Sequence, residues 1–290
     1  MIITEKIKNK IKYFNFFKRI LKHGFKKRYI ENAPPTNYAV RNNNNNKQSG
    51  RIQNAYVRLV VIILFPIILM LLSSLIFSSV FSETIENYPL FFFCGEIIFL
   101  FLFVASPSAV NALTENMRYI RSIYLPKNLF VLASVILSAV PLVLHMVISL
   151  LIMLFTSAPF SPALFMLPVL ALLMLMFSFG FSLILAAYSS AVKRFDIFYM
   201  IFSFIWLTAS PVFYPTEAMP EKIRFIFNIN PAVHYMKIMR TICCYGEMPS
   251  KTDLERAAVY SVLVMLLGIS VFKAHENSLF LNAEKHGKER

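Results

Sequence analysis

Charge, glycine and cysteine are all scarce in this chain. Charged residues occupy 15% of its 290 positions, against about 25% in an average soluble domain, which excludes an ordinary water-soluble globule. The seven glycines never fall at the G-x-x-x-x-G-K-[ST] spacing that cradles a phosphate, so the sequence carries no P-loop. The five histidines form no H-E-x-x-H pair and no G-x-S-x-G elbow occurs, which leaves a free-standing enzyme unsupported. The three cysteines, Cys94, Cys243 and Cys244, fall short of a disulfide framework and have no C-x-x-C metal spacing, so no metal centre is expected. A secretory signal is not expected either, because a long basic region precedes the first apolar stretch.

What the chain has instead is hydrophobic length. Hydrophobic residues make up 57% of it, 29 residues are Phe, and the mean hydropathy is +0.61, which places it among polytopic membrane proteins. Leu59 to Ser82 carries no formal charge and contains Pro66, a predicted kink. Tyr88 to Leu113 is interrupted only by Glu96. Residues 128–192 carry no charge at all, too long a run for one helix, and Thr156 to Ala163, with two prolines, is the natural turn between two spans. Further spans are expected at Ile197 to Phe213 and Ala257 to Phe272. The expected architecture is all-α: six transmembrane helices, an N-terminal interfacial helix, and outer re-entrant helices between spans five and six.

The basic residues are unevenly placed. Fourteen of the 29 lie in residues 1–58, against only Glu5 and Glu31. Such a block ahead of repeated spans fits anionic lipid and cytoplasmic retention better than nucleic acid, whose interleaved binding groove is absent. Within it, Tyr13, Phe17, Ile20, Leu21, Phe25 and Tyr29 recur at helical steps opposite Lys12, Lys18, Arg19, Lys22, Lys26 and Lys27, the pattern of an amphipathic helix on a membrane surface. A solvated basic helix packed on another subunit is the alternative. The domain reading is therefore 1–31 cytoplasmic basic amphipathic helix, 32–56 Asn-rich linker, 57–274 six-span transmembrane domain and 275–290 cytoplasmic tail. The Lys/Arg bias of the short loops puts both termini in the cytoplasm.

The segment from Tyr214 to Arg256 reads as two short amphipathic helices, about 219–228 and 231–243, divided at Asn230-Pro231, where proline suits a first helical turn. Its apolar content exceeds that of a solvated hairpin, so it is expected to dip into the membrane or cap a cavity. Glu96 is the one acid inside a predicted span and a functional candidate by virtue of its desolvation cost. His145 reads as a hydrogen-bonded packing residue, and Cys243 with Cys244 as helix packing.

Several phrases, in order, resemble the permease subunit of the ABC exporters for polysaccharides and polyol phosphates, the family that exports O-antigen, capsule and teichoic acid chains. They are the basic helix ending Lys26 to Tyr29, NMRYIRSIYLPK (Asn116 to Lys127), KRFDI (Lys193 to Ile197), SPVFYPTEAMP (Ser210 to Pro220) and NPAVHYMKIMRTICCYGEMP (Asn230 to Pro249). The chain departs from the family pattern in its Asn-rich linker and in having no tryptophan before Trp206. The resemblance implies a half-channel in the bacterial inner membrane that forms a homodimer and recruits a separate ATPase subunit. ATP and Mg would be bound by that partner, and no cofactor by this chain. Asn116, Arg118, Tyr119 and Arg121 would couple to the ATPase. Glu96, Phe213 and Tyr214 would line the substrate pathway, Pro215, Asn230, Pro231 and Arg240 would shape the outer re-entrant segment, and Lys22, Lys26, Lys27 and Arg28 would meet a lipid-linked head group. Three rivals are an ABC permease for a drug or lipid, a polytopic transferase or polymerase on lipid-linked sugars, and an assembly scaffold. The transferase needs clustered Arg, Asp or His in an outer loop, where only Asp253, Arg240 and His234 come close.

Overall fold

The computed structural model describes residues 18, 21–22, 44–81, 84–115, 127–156, 158–189 and 194–288. The elements are α1 (Asn44–Phe77), α2 (Tyr88–Glu115), α3 (Asn128–Phe155), a 3-10 turn (Pro162–Met166) running into α4 (Leu167–Ser189), α5 (Phe195–Thr208), a 3-10 turn (Thr216–Ala218), α6 (Glu221–Ile229), α7 (Pro231–Cys243) and α8 (Lys251–Lys288). Among the described residues there is no strand, so the all-α expectation stands. Helices are the economical answer for a chain this apolar, because every backbone N–H and C=O must be paired where water is absent.

Among the described residues, five helical stretches are long and apolar enough to cross a membrane: Val60–Phe77, Tyr88–Asn111, Asn128–Phe155, Pro162–Ser189 and Lys251–His275. The expected span from Ile197 to Phe213 is helical only in part. Its helix has 14 residues and stops at Thr208, a rise of about 21 Å against a hydrocarbon core of about 30 Å. Pro211 is the cause: it has no N–H and drives Ser210 out of the α region. The expected irregular linker also differs, because α1 already starts at Asn44 and its second half is helical. At the other end α8 runs unbroken to Lys288, with no helix break where a tail was expected to begin at 275. The two short outer helices fall within a few residues of their expected bounds. The expected site residues Lys26, Lys27, Arg28, Asn116, Arg118, Tyr119 and Arg121 lie outside the described residues, and of the expected interfacial helix only Lys18, Leu21 and Lys22 fall within them.

Helix α2 is the axis of the bundle. Every residue from Leu90 to Ile98 is buried, and α1, α3, α4 and α7 pack around it. Helices α4 and α8 make the most extensive pairing and cross backbone to backbone. A Cβ on Gly180 would land on the Val264 carbonyl and Met265 backbone, and one on Gly268 on the Gly180 carbonyl. Small residues allow this close approach, which drives helix association where lipid offers no hydrophobic incentive.

Two prolines inside these helices leave carbonyls without their usual i+4 donor, and another helix supplies the missing proton in each case. Pro66 strips the Ile62 carbonyl in α1, and His145 of α3 reaches it through Nε2 at 2.9 Å. Pro107 strips the Phe103 carbonyl in α2, and the Tyr199 hydroxyl of α5 donates to it at 2.6 Å. His145 thus fills the packing role expected of it, with a stated partner.

Candidate functional site

The chain reversal after α5 is built from side chains that replace missing backbone bonds. Asn230, at the N-cap of α7 with Pro231 in the first turn, uses its whole amide. Its Oδ1 accepts from the Ala232 N–H at 3.0 Å and from the Trp206 indole N–H at 3.1 Å. Its Nδ2 donates to the Ala209 carbonyl at 3.2 Å and to the Ser210 hydroxyl at 3.0 Å, and Ser210 in turn donates to the Trp206 carbonyl. One buried amide therefore caps α7 and closes the C-terminus of α5.

Arg240, nearly three turns further along α7, secures the same reversal to α2. Its Nε donates to the Phe91 carbonyl at 3.2 Å and its second arm to the Val212 carbonyl at 3.0 Å. The guanidinium lies 3.5 Å over the Phe91 ring, a cation–π contact. Gly95 makes the room, since a Cβ there would sit 2.6 Å from an arm of the fork. Arginine is not deprotonated in proteins, so the group stays charged at neutral pH. The Tyr88 hydroxyl donates to the Phe213 carbonyl at 2.8 Å, and the Tyr214 hydroxyl to the Thr208 carbonyl at 3.0 Å. The carbonyls of Thr208, Ala209, Val212 and Phe213 are thus met by side chains of α2, α7 and the segment itself. That is the condition under which non-helical backbone is tolerated at membrane depth.

Of the residues expected to act, Phe213, Tyr214, Asn230, Pro231 and Arg240 are brought together in this clamp. Phe213 packs on Phe92 at 5.2 Å and on Phe77 at 6.0 Å, Tyr214 meets Phe227 edge-on, and Pro215 is buried ahead of the 3-10 turn. Glu96 follows Gly95 in sequence yet forms no ion pair with Arg240. It is buried, and neither carboxylate oxygen has a hydrogen-bond partner. Lys22 is exposed. Cys94 of α2 neighbours Cys243 of α7 and Cys244 at its C-cap, and all three thiols are free. Among the described residues no group of three or more His, Cys, Asp or Glu could hold a metal ion.

Sequence reasoning missed Tyr88, Gly95, Trp206 and Ser210. For the first and third a signal existed: each is an amphipathic ring at the end of an apolar stretch, where its polar tip needs a partner. Gly95 and Ser210 carry no such mark.

Comparison with known proteins adds three findings. The ABC-2 type transporter family matches residues 50–243, a stretch that takes in α1 through α7. An O-antigen export system permease protein RfbA of Myxococcus xanthus is 22% identical over 229 residues, 78% of this chain and 87% of that protein. A protein of the same description from Klebsiella pneumoniae is 22% identical over 208 residues, 71% of this chain and 80% of its own.

Proposed function

Because the chain belongs to the ABC-2 type transporter family, we propose that it is the permease subunit of an exporter moving a lipid-linked polysaccharide or polyol phosphate polymer out across the bacterial cytoplasmic membrane. Family membership implies a membrane setting and a partner ATP-binding subunit. The observation that carries the cargo assignment is the length of the match to relatives described as O-antigen export permeases. The sequence phrases around Tyr214-Pro215 and Asn230-Pro231 support it, since both lie in the clamp.

In this reading α5 and the clamped reversal after it together complete the fifth of six crossings, and α6 with α7 stands at the outer exit as a re-entrant pair. Both termini lie in the cytoplasm. Two copies sit side by side. Exposed apolar side chains on α1 and α5, such as Leu64, Phe65, Ile201 and Phe204, give a second copy or lipid something to cover. Asn116, Arg118, Tyr119 and Arg121 seat against the ATPase, which binds ATP and Mg; this chain binds no cofactor. Lys22, Lys26, Lys27 and Arg28 attract the cargo's phosphates at the inner surface, as cations do. Glu96, Phe213 and Tyr214 belong to the pathway, and the unpartnered carboxylate supports this for Glu96. No bond in the cargo is made or broken. ATP-driven closure of the partner shifts the dimer between two conformations, and cargo moves because it binds them unequally.

Affinity purification from native membranes in mild detergent tests this. A stoichiometric P-loop ATPase should co-elute and should be lost when Arg118 and Arg121 are both replaced by Glu. Recovery of the chain with no ATPase would sink the exporter reading.

A further inference from the structure

Three thiols meet where α7 crosses α2, and the transport reading leaves them unused. Cys94 of α2 and Cys243 of α7 are fully buried, whereas Cys244, at the C-cap of α7, is only half-buried. The two helices are held together immediately beside these residues. The Arg240 Nε donates to the Phe91 carbonyl at 3.2 Å, about one helical turn before Cys94, and a Cβ on Gly95, the residue after Cys94, would sit 2.6 Å from the same guanidinium. On α7 the Cys244 N–H donates to the Arg240 carbonyl at 2.7 Å, so Cys244 stands one turn beyond Arg240 on the same face. Cys94 accordingly neighbours both Cys243 and Cys244, and Cys243 in addition neighbours Ser149 of α3. Beyond Cys244 the chain leaves the helix for the surface, where Tyr245 is 54% exposed.

The arrangement separates one thiol that an outside reagent can reach from two that it cannot. We propose that the cluster is a redox modification site, in which Cys244 takes an oxidising equivalent from a disulfide-bearing thiol compound and passes it to Cys94, closing a disulfide that bolts the end of α7 to α2. The Cys244 sulfur attacks the disulfide of the oxidant, forming a mixed disulfide and expelling one of the oxidant's thiols. The Cys94 sulfur then attacks the Cys244 sulfur and expels the other. Two thiols of the chain are oxidised to one disulfide, the oxidant is reduced to two thiols, and these carry off both protons. The second step is intramolecular, which compensates for the depth of Cys94. A bond between Cys243 and Cys244 is disfavoured, because neighbouring Cα atoms lie about 3.8 Å apart and a disulfide ordinarily spans about 4.4 to 6.8 Å. Pairing across the two helices carries no such constraint. Only the side of the membrane rests on the exporter reading, which turns Cys244 toward the external face, where disulfides persist; the pairing rests on the geometry alone.

Glutathione disulfide is the probe, applied to the full chain in lipid nanodiscs with neither ATPase nor cargo, so a failure here is distinct from a failure of the exporter reading. Thiols are counted by alkylation in denaturant. The reduced chain has three, and oxidation should leave one, with all three restored by dithiothreitol. Trypsin should then release residues 59–118, which carry Cys94, joined to 241–251, which carry Cys243 and Cys244, from material that runs as a single chain on a non-reducing gel. Cys243→Ser should crosslink as wild type does. Cys94→Ser should stop at one glutathione, held on Cys244. Cys244→Ser should keep both of its thiols, because the oxidising equivalent has no way in. A wild-type chain that keeps three thiols overturns the proposal, as does a disulfide confined to 241–251 or a Cys244→Ser chain that still crosslinks, and the wild-type measurements stand even if a variant does not fold.

Discussion

Replacing Asn230 separates two roles that a helix N-cap usually combines. Asn and Asp cap helices about equally well, and loss of a cap to Ala costs about 1 kcal/mol. If Asn230 only capped α7, Asn230→Asp would leave stability within about 0.5 kcal/mol. The structure requires more of it, because Nδ2 donates to the Ala209 carbonyl and the Ser210 hydroxyl while Oδ1 holds the Trp206 indole. Asp removes both donors and sets a carboxylate against the Ala209 carbonyl, a cost of about 2 kcal/mol or more. Asn230→Ala loses the cap and strands the Trp206 N–H and Ala209 carbonyl, at about 1 kcal/mol each, for a total of about 3 kcal/mol. The chain has one tryptophan, so equilibrium denaturation in detergent followed by its fluorescence reads the site directly. Before any unfolding, emission should shift in the Ala variant, where the indole loses its acceptor, and stay near wild type in the Asp variant. An Asp variant as stable as wild type would refute the hub reasoning and reduce Asn230 to a cap.

Other substitutions test the neighbouring joints. Arg240→Met should destabilise by about 2 to 4 kcal/mol, because it strands the Val212 carbonyl and removes two charge-assisted bonds, and Arg240→Lys should recover only part, lacking the fork; thermal unfolding in detergent ranks the three. Gly268→Ala should separate α4 from α8 and lower thermal stability, whereas Gly→Ala at an exposed helical site ordinarily gains about 1 kcal/mol; a gain in stability would contradict the close crossing. Tyr199→Phe should cost about 0.6 to 1.7 kcal/mol, the range for hydrogen bonds between membrane helices, and Tyr199→Phe combined with Pro107→Ala should recover most of it, since the helix then supplies its own donor.

Much of this was legible in the sequence, and what was not has a physical pattern. Uncharged length locates helices because lipid imposes it, and Asn230-Pro231 marks the start of α7 because capping is a local, one-turn interaction. The same locality explains what stays hidden. The stretch from Ile197 to Phe213 is apolar throughout, so hydropathy reads it as one span, whereas Pro211 ends the helix and only tertiary bonds from Asn230, Arg240 and Tyr88 make the irregular remainder tolerable. Nothing near Glu96 in sequence announces that its carboxylate lacks a partner, or that Cys94 meets Cys243 across 149 positions. Prolines are visible, and so is the carbonyl each one frees. The donor that answers it, His145 for Pro66 and Tyr199 for Pro107, lies on another helix and is set by packing.

The polar joints share a logic that bears on movement. Inside the bundle, contacts between α4 and α8 rest on bare backbone at Gly180 and Gly268, which cannot slide without a clash because packed cores have few alternatives. Around α5 the bonds are instead made by single side chains: Tyr199 to α2, Trp206 and Asn230 between α5 and α7, Arg240 between α7 and α2. A handful of discrete hydrogen bonds can be exchanged for others, each at about 1 kcal/mol net, where interlocked backbone cannot. The proposed exporter would need one fixed frame and one element that changes partners. On that proposal the fixed frame falls to α4 and α8, and the short α5 with its clamped reversal is the element whose bonds are few enough to be remade.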